Sequence, residues 1–352
     1  MGDFSNGLKE QVVQAASEGV PVKISGGGSK AFFGRHTDGQ PLLTGQHQGI
    51  VSYEPSELVI TARTGTPLQE LEAILSEKEQ MLACEAPHFG EQATLGGMVA
   101  SGMSGPRRPF AGAVRDFVLG CRIINGKGEL LTFGGQVMKN VAGYDVSRLM
   151  TGAMGTLGVL LEVSLRVLPR PATEVTVQLQ CNVESALEQM KIRLGQPLPL
   201  SGSCFDGEFL YFRLSGPEQA VNKAVLILEG ERMDDGAGFW RRLNEQTLPF
   251  FNGDEALWRF SVAPAAPPID IEGRWLYDWG GAQRWLKSDI SPSVAFQAAD
   301  NLGGHATLYR GGNREGDIFH PLSQNLSALH RNLKEAFDPA GILNPNRMYR
   351  EF

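Results

Sequence analysis

Glycine is concentrated in three blocks of the first half of the chain, and these blocks constrain the fold more than any other feature of the sequence. The blocks are SGGGSK (25–30), TLGGMVASGMSG (94–105) and KNVAGYDVSRLMTGAMGTLGVLLEVSLRVLPRP (139–171). Glycine lets the backbone turn tightly and approach a ligand closely, because it carries no Cβ atom. The 43 glycines among 352 residues therefore predict many tight turns or close backbone contacts with a ligand.

The first block fits known phosphate-binding motifs only in part. Gly26, Gly28 and Ala31 match the dinucleotide fingerprint G-x-G-x-x-G/A. The following FFGRHTDGQPLLTG contains three more glycines and a proline, so it cannot form the helix that this fingerprint requires. The nucleotide P-loop motif G-x-x-x-x-G-K-[ST] does not occur. Two interpretations remain for this block alone: a tight turn between strands, or a nest of backbone N–H groups that binds phosphate.

Charge and cysteine content argue against several functional classes. The formal net charge is −7 and the chain has no basic block, so we expect no nucleic-acid partner. The cysteines are far apart and form no C-x-x-C pair, which argues against a zinc ribbon or an iron–sulfur cluster held by this chain alone. They are Cys84, Cys121, Cys181 and Cys204. At this chain length we expect them to be reduced thiols.

No segment of the sequence predicts a signal peptide or a membrane span. The N-terminus, MGDFSNGLKEQ, has no apolar core. The most apolar run, TLGVLLEVSLRVL, contains Glu162 and Arg166 and is too short to cross a bilayer. We expect a cytoplasmic protein without a transmembrane segment, with association to the inner membrane through partners left open.

Hydrophobic periodicity predicts two regions of different character. A helix is expected over 5–18, and FVLGCRIINGKGELLTF is expected to form a β-hairpin that turns at 125–128. Pro169 and Pro171 mark a boundary, after which the glycine density falls and strands alternate with helices. The segment SQNLSALHRNLKEAF is expected to be helical near the C-terminus.

Taken together, the order and spacing of the three blocks resemble the FAD-binding domain of the vanillyl-alcohol-oxidase/p-cresol-methylhydroxylase (PCMH) flavoprotein family. The resemblance implies an α+β fold, in which a PCMH-type FAD-binding domain of two α/β subdomains is followed by an α+β cap domain. FDPAGILNPNRM matches the usual ending of the family, in which the chain returns to the flavin domain. The implied domains are 1–171 (FAD-binding), 172–325 (cap) and 326–352 (C-terminal helix and tail).

The same resemblance implies a set of FAD-binding residues. In the first block they are Ser25, Gly26, Gly27, Gly28, Ser29 and Lys30, which surround the diphosphate. The second and third blocks contribute Thr94, Gly96, Gly97, Ser101, Ser104, Gly112, Asp116, Gly155, Gly158 and Val159. For Gly112 and Gly155 a packing role stays open, and for Asp116 a role as a turn or cap residue. Many family members bind flavin covalently through a histidine beside the first loop, where this chain has Ser29 and Lys30, so non-covalent FAD is expected.

Longer stretches are similar to the FAD-binding subunits of bacterial glycolate oxidase (glycolate dehydrogenase) complexes. These stretches are ISGGGSKAFFGR, EAPHFGEQATLGGMVASGMSGPRRP, KNVAGYDVSRLMTGAMGTLGVLLEV and DWGGAQRWL. The resemblance implies oxidation of glycolate to glyoxylate, together with a larger FAD-binding catalytic subunit and an iron–sulfur subunit. Two alternatives stay open: a self-sufficient FAD-dependent 2-hydroxy-acid dehydrogenase or oxidase, and a structural subunit that has lost flavin.

The cap region offers few candidate catalytic side chains. The six histidines form no H-x-H or H-E-x-H group, so no metal site is expected and no catalytic base is assigned. His305 and Arg310 are candidates for substrate contact, with a structural role as the alternative for each. Trp275, Trp279 and Trp285 form an aromatic group. This group predicts a partner interface, a lid over the flavin or part of the cap core.

Overall fold

The computed structural model describes residues 2–135 and 145–352, so the start of the third glycine block (139–144) lies outside the described residues. Up to residue 135 the elements are α1 (Ser5–Glu18), β1 (Val22–Ser25), β2 (Gln40–Leu43), β3 (Ile50–Glu54), β4 (Val59–Arg63), α2 (Leu68–Ser76), β5 (Gln80–Met81), α3 (Leu95–Ser101), α4 (Arg108–Ala111), α5 (Val114–Phe117), β6 (Val118–Ile124) and β7 (Leu130–Gly134).

After the gap the elements continue to the C-terminal helix. They are α6 (Val146–Leu149), β8 (Val159–Arg166), β9 (Leu168–Pro169), β10 (Thr173–Gln180), α7 (Val183–Leu194), β11 (Leu200–Phe205), β12 (Phe209–Gly216), α8 (Glu218–Leu228), β13 (Glu231–Arg232), α9 (Gly236–Asn244), β14 (Leu257–Ser261), β15 (Arg274–Asp278), β16 (Gln283–Lys287), α10 (Pro292–Asp300), β17 (His305–Arg310) and α11 (Gln324–Phe337). In the described ranges, no helix is long and apolar enough to cross a membrane.

The chain divides into two units, each with its own core. Unit 1 comprises Met1–Ser104, Gly112–Pro169 and Leu322–Phe352, and unit 2 comprises Gly105–Ala111 and Arg170–Pro321. A short excursion of the chain, Gly105–Ala111, therefore belongs to unit 2 although the sequence on both sides of it belongs to unit 1. The domain boundaries drawn from the sequence at residues 171 and 325 stay predictions.

Two sheets of unit 1 share one core, and β5 and β9 form a further two-stranded pair in this unit. Strands β1 and β2 form a parallel pair, and the larger sheet has the order β3-β4-β8-β6-β7 with antiparallel pairing throughout. Helix α1 buries an apolar face at helical spacing against both sheets, as amphipathic helices do. The shared core is Leu8, Val12, Ala15, Val22, Leu42, Ile124, Val159, Leu161, Ile342 and Leu343. Residues near the C-terminus thus complete the core that begins at the N-terminus.

Local signals account for the elements of unit 1 that the sequence predicts. The helix over 5–18 and the β6–β7 hairpin are confirmed. In the hairpin turn, the side-chain oxygen of Asn125 accepts hydrogen bonds from the backbone N–H groups of Lys127 and Glu129 (3.0 and 2.9 Å). Gly128 has a φ of 75°, which favours glycine because it carries no Cβ atom.

Unit 2 is built on one eight-stranded sheet of order β13-β10-β12-β11-β15-β16-β14-β17. Helices α7 and α8 contribute Ala186, Met190, Val221, Ala224, Val225 and Leu228 to one core cluster, which includes Phe212 of β12. Helix α10 contributes Ala295, Phe296 and Ala299 to a second cluster, with Trp258, Leu286 and Leu308 from the sheet. Helices α7, α8 and α10 therefore cover one face of the sheet, whereas α9 packs on the opposite face, where Phe239 stacks on Tyr211 of β12.

Candidate functional site

The first glycine loop lies in unit 1 directly after β1 and packs against the beginning of the second block. A Cβ atom on Gly27 would lie 1.4 Å from the carbonyl oxygen of Gln92, and one on Gly26 would lie 2.6 Å from Thr94 Oγ1. Both positions therefore require glycine. Gly28 has a φ of 74° and an added Cβ would meet open space, so this part of the loop presents bare backbone to the exterior.

The second block forms α3 and is fixed to the larger sheet of unit 1. Thr94 caps the helix by accepting a hydrogen bond from the N–H of Gly97 (3.2 Å). Gly96 lies against Thr64, since an added Cβ would approach the Thr64 Cβ to 2.8 Å. Thr64 in turn donates to the carbonyl oxygen of Leu160 in β8 (2.7 Å). The absence of a side chain at 96 thus lets α3 approach the residue after β4 closely.

The described part of the third block lies beside α3. The N–H of Gly152 donates to Val99 O and the N–H of Met154 donates to Ala100 O, both at 2.9 Å. A Cβ on Gly102 would lie 3.2 Å from the nitrogen of Gly152. The three glycine blocks, which are widely separated in sequence, are therefore brought together within unit 1.

Several of the predicted FAD-binding residues have their own partners in the chain. Ser101 donates to Met98 O (3.2 Å), Ser104 accepts from the N–H of Val114 (3.1 Å), and Asp116 accepts from the N–H of Ala113 (2.8 Å). Asp116 thereby caps α5, the alternative role that the sequence left open. Ser25 and Ser29 lie in the first loop, half-buried, and Gly112, with a φ of 113°, precedes α5.

The remaining predicted residues of unit 1 lie near the loops. Lys30 extends to the carbonyl oxygen of His88 (Nζ–O distance 3.2 Å), with its ammonium 5.7 Å from the centroid of the Phe89 ring. Gly158 and Val159 enter β8, where the Val159 side chain is fully buried in the core. Any contact of Val159 with a cofactor must therefore come from its backbone.

Strand β17 of unit 2 carries both residues that the sequence names for substrate contact, His305 and Arg310. The strand has a bulge near its end, because Trp258 pairs with Leu308 while Leu257 pairs with Arg310. A bulge interrupts the alternation of side chains along a strand, so Arg310 does not continue the face of Leu308. A role of His305 and Arg310 in substrate contact stays a prediction.

An arginine that the sequence analysis missed lies on the face of His305. Arg259 of β14 pairs in register with Thr307, and its guanidinium carbon lies 5.6 Å from the Tyr309 ring centroid. Arg108, from the short excursion of the chain, stacks on Trp279 at 4.4 Å. The register between β14 and β17 is set by strand pairing, so no local sequence motif marks this group. We call Arg108, Arg259 and His305 the cationic group.

The members of the cationic group influence one another. Desolvation lowers the pKa of His305 below its ordinary value although the residue stays accessible to solvent, and the charges of Arg259, His320 and Arg108 lower it further. Burial also lowers the pKa of Arg259, and Arg108 adds to this effect. His305 is therefore neutral near pH 7, while the arginines remain charged because their ordinary pKa is far above that pH.

The three tryptophans do not form one exposed surface. Trp279 is 9% exposed and donates its indole N–H to Gly105 O (3.0 Å), and Trp285 is 6% exposed and packs edge-on against Tyr309. Strand β15 ends at Asp278, and Trp285 pairs in register with Leu276 rather than with Trp275. Trp279 and Trp285 are thus buried in the core of unit 2, which favours the alternative that they are part of the cap core, and a partner interface stays a prediction.

Metal-binding clusters and reactive thiols are two further kinds of site that the described residues could provide. No cluster of three or more His, Cys, Asp or Glu side chains with metal-binding geometry occurs there. The four cysteines are free thiols, and burial raises the pKa of Cys84 to about 12 and that of Cys121 to about 11. Thiolates at neutral pH are therefore not available at these two positions.

Comparison with known proteins identifies the family. Residues 6–134 match the family FAD_binding_4, described as an FAD binding domain. The chain is 51% identical to the glycolate oxidase subunit GlcE of Escherichia coli (strain K12), over 99% of its own length and 98% of that protein. The chain belongs to the GlcE family. It is an FAD-binding oxidoreductase subunit of the PCMH-type fold.

More distant relatives of this GlcE-family chain match a smaller part of it. The glycolate oxidase subunit GlcD of Bacillus subtilis (strain 168) is 29% identical over 60% of the chain and 46% of that protein. A D-lactate dehydrogenase of Anaerostipes hadrus is 31% identical over 47% of the chain and 35% of that protein. A solved structure of 4-ethylphenol oxidase from Gulosibacter chungangensis aligns over 99% of the chain and 89% of its own, with a TM-score of 0.73 at 13% identity. That likeness concerns the fold.

The described residues of the GlcE-family site are suited to the diphosphate of FAD. No acidic side chain occurs in 25–30, 94–105 or 151–159, where backbone N–H groups, hydroxyls and one lysine prevail. The space beside Gly28 and Gly152 is open, so that a Cβ at either position would meet no atom within 4 Å. Loops of this kind bind anions through backbone N–H groups. FAD, when bound, supplies the redox chemistry and the chain supplies its position.

Proposed function

We propose that this protein is the FAD-binding subunit of a complex that oxidises glycolate to glyoxylate and passes the electrons toward an iron–sulfur subunit. The observation that carries the proposal is the convergence of three glycine-rich blocks in unit 1, in a chain that matches a glycolate oxidase subunit along its whole length. An iron–sulfur partner is part of the proposal because Cys84, Cys121 and Cys204 are separate, buried thiols in this chain. The larger partner would be a GlcD-type flavoprotein.

For the cofactor, we assign the diphosphate to the backbone of 25–30. Ser25 and Ser29 would add hydroxyl donors, and the Lys30 ammonium would add a positive charge near the loop. Residues 94–105 and 152–159 would follow the remainder of the cofactor through backbone N–H groups. In this assignment Gly26, Gly27 and Gly96 act by leaving space, since a Cβ at each would collide with neighbouring atoms.

We further propose that FAD is bound non-covalently. The positions beside the first loop are Ser29 and Lys30, neither of which forms the histidyl bond found in many PCMH-type proteins. The imidazole of His36 forms a hydrogen bond with Asp38 (2.9 Å), and the imidazole of His88 forms one with Glu72 (3.2 Å). Acid precipitation of the protein should therefore leave the flavin in the supernatant, whereas flavin in the pellet would contradict non-covalent binding.

One observation favours a second candidate function, in which this chain oxidises a 2-hydroxy acid itself. Oxidation of glycolate to glyoxylate removes a hydride from C2 and a proton from the hydroxyl group, and FAD, when bound, would supply the hydride acceptor. Arg259 and Arg108 of the cationic group would attract the carboxylate. His305 is neutral at pH 7 because of its lowered pKa, and would accept the hydroxyl proton.

The two candidates are separated by one experiment on the chain purified alone. The flavin content is measured from the visible spectrum before and after denaturation, and glycolate is then added without oxygen. About one flavin per chain without bleaching would support a subunit that needs its partners, whereas bleaching would support the self-sufficient enzyme. A chain without flavin, even after incubation with FAD and the partner subunits, would overturn both.

A further inference from the structure

We infer that Asn344 is a positioning residue for FAD, because its side chain joins the first glycine loop to the turn of the third block. This inference rests on the proposed assignment of those two loops to FAD. Asn344 itself lies in the segment after α11, far from either block in sequence. It would act on FAD retention through the loops and without any contact of its own with the cofactor.

The side chain of Asn344 makes one hydrogen bond to each loop. Its Oδ1 atom accepts from the N–H of Ile24 (2.8 Å), 320 residues earlier in the chain, and its Nδ2 atom donates to Met154 O (2.7 Å), 190 residues earlier. Ile24 directly precedes Ser25, and Met154 directly precedes Gly155. Both bonds therefore hold the backbone at the point where a predicted FAD-binding stretch begins.

The surroundings of Asn344 are built to accept this side chain. The residue is 6% exposed, and a Cβ atom on Gly155 would lie 2.6 Å from its Nδ2 atom. The glycine at 155 thus leaves the space that the amide occupies. Asn344 has a φ of 39°, a left-handed conformation that asparagine adopts more readily than most residues. Its own N–H donates to Val22 O (3.1 Å), which continues the pairing of this segment with β1.

A second side chain of the C-terminal segment reinforces the same turn. Lys334 of α11 donates from Nζ to Thr156 O (2.9 Å) and to Leu343 O (2.8 Å), and forms an ion pair with Asp338 (2.7 Å). Asp338 accepts from the N–H of Leu343 (2.7 Å). Lys334 therefore fixes the residue before Asn344 and the turn that Asn344 holds. Met154 O and Thr156 O, on either side of Gly155, are thus both bound by C-terminal side chains.

The expected effect of losing Asn344 is local. In Asn344→Ala the N–H of Ile24 and the carbonyl oxygen of Met154 lose their hydrogen-bond partner. A buried polar group without a partner is costly in free energy, so the backbone at both positions is expected to shift toward new partners. The apolar core of unit 1 contains Ile342 and Leu343 but not Asn344, so the fold should persist. The loops should then adopt several positions, which would weaken FAD binding more than it weakens the apoprotein.

The test compares Asn344→Ala with Asn346→Ala in the full chain. Asn346 is an exposed asparagine in the same segment with a φ of 60°, so its replacement removes the same functional group from a similar backbone conformation. The dissociation constant of FAD is measured from flavin fluorescence, and thermal unfolding is followed with and without saturating FAD. We expect Asn344→Ala to raise the dissociation constant at least tenfold and to reduce the FAD-induced rise in unfolding temperature. Asn346→Ala should keep the dissociation constant within twofold of the parent and leave the FAD-induced rise in unfolding temperature unchanged.

Two further variants keep the inference falsifiable. Asn344→Asp retains the acceptor for the N–H of Ile24 but loses the donor to Met154 O, and should give an intermediate dissociation constant. If Asn344→Ala does not fold, Asn344→Asp is the variant that is compared with Asn346→Ala. An unchanged dissociation constant in both variants, or a lowered apoprotein unfolding temperature with an undiminished FAD-induced rise, would overturn the positioning role. If Gly27→Ala also binds FAD normally, the loop assignment itself fails; if only Gly27→Ala loses FAD, the inference about Asn344 fails alone.

Discussion

The two units of this chain form their candidate sites in opposite ways. In unit 1 the site consists of backbone, and the residues that define it are glycines whose missing side chains leave room, as at Gly27 against Gln92. In unit 2 the cationic group consists of long side chains, such as Arg259 over Tyr309, which project from a regular sheet. The first kind of site depends on close approach between segments, whereas the second depends on strand register.

This difference determines how each site should respond to substitution. A methyl group added to a close-packed glycine forces backbone to move, so it damages the fold and the site together. A charged side chain removed from the face of a sheet leaves the backbone unchanged, so it alters ligand binding and little else. The following variants test this contrast, from the largest expected effect to the smallest.

Gly27→Ala should have the largest effect. The new Cβ would lie 1.4 Å from the carbonyl oxygen of Gln92, so the loop or the segment at 92 must shift. We expect a loss of about 3 kcal/mol in the free energy of unfolding and no detectable bound flavin. Flavin absorbance per chain and chemical denaturation measure the two effects.

The control for this variant is Gly7→Ala within α1. An added Cβ there meets no atom within 4 Å, and alanine favours a helix over glycine by about 1 kcal/mol. This variant should be at least as stable as the parent and should keep its flavin. Full flavin retention in Gly27→Ala would contradict the description of the unit 1 site as a close-packed backbone site.

Arg259→Met should have a smaller effect, which is confined to the binding of substrate. Methionine keeps much of the apolar length and removes the charge, so the Michaelis constant for glycolate should rise about tenfold, as expected for a lost charge-assisted bond of about 1.4 kcal/mol. Arg232→Met, on the edge strand β13 at the other end of the same sheet, is the control and should change this constant less than twofold. The measurement is steady-state oxidation of glycolate by the assembled complex. Equal effects of the two variants would show that the cationic group does not bind substrate.

Arg107→Gln should have the smallest effect, and it should depend on pH. Arg107 pairs with Glu174 at 2.7 Å within unit 2. Burial raises the pKa of Glu174, but Arg213 and Arg107 lower it more, so the net pKa lies below the ordinary value. A lowered folded pKa stabilises the protein above the ordinary pKa of about 4.3, and this contribution is lost as the pH falls through the folded value.

The expected stability difference between the parent and Arg107→Gln is at most about 1 kcal/mol between pH 6 and 8. It should shrink below about pH 4, as seen by denaturation at each pH. A difference that stays constant down to pH 3 would show that Arg107 stabilises the excursion of the chain through contacts other than its ion pair. In that case packing, and not charge, would stabilise this part of unit 2, as it does the glycine loops of unit 1.

The sequence carries more local signal for the candidate site in unit 1 than for the one in unit 2, for a physical reason. A glycine block reports a conformational demand at its own position, so SGGGSK alone predicted either a tight turn or a nest of backbone N–H groups, and the other two blocks favoured the second. Arg259 and His305 are joined by strand pairing across a long interval, which no local motif reports. The bulge before Arg310 is equally without a local signal, and the role of Arg310 stays a prediction.

The aromatic group shows a related limit of local sequence patterns. Trp275, Trp279 and Trp285 are close in sequence, and a regular strand would have aligned the first two on one face. The strand ends at Asp278, and Trp279 has a φ of 54°, so its indole turns away to Gly105 O. A backbone bend at a non-glycine residue has no local signal in the sequence. The β6–β7 hairpin, in contrast, was predictable because Asn125 and Gly128 mark their own turn.

The position of Asn344 in the chain has a consequence for biosynthesis. During translation, Ile24 and Met154 leave the ribosome long before residue 344 is made, so the two loops that this side chain joins remain separate until synthesis is nearly complete. A nascent or prematurely terminated chain that lacks this segment lacks the connection between the loops, together with Ile342 and Leu343 of the unit 1 core. Cofactor loading would thus act as a check on chain completion, and truncated products would stay apoproteins open to degradation.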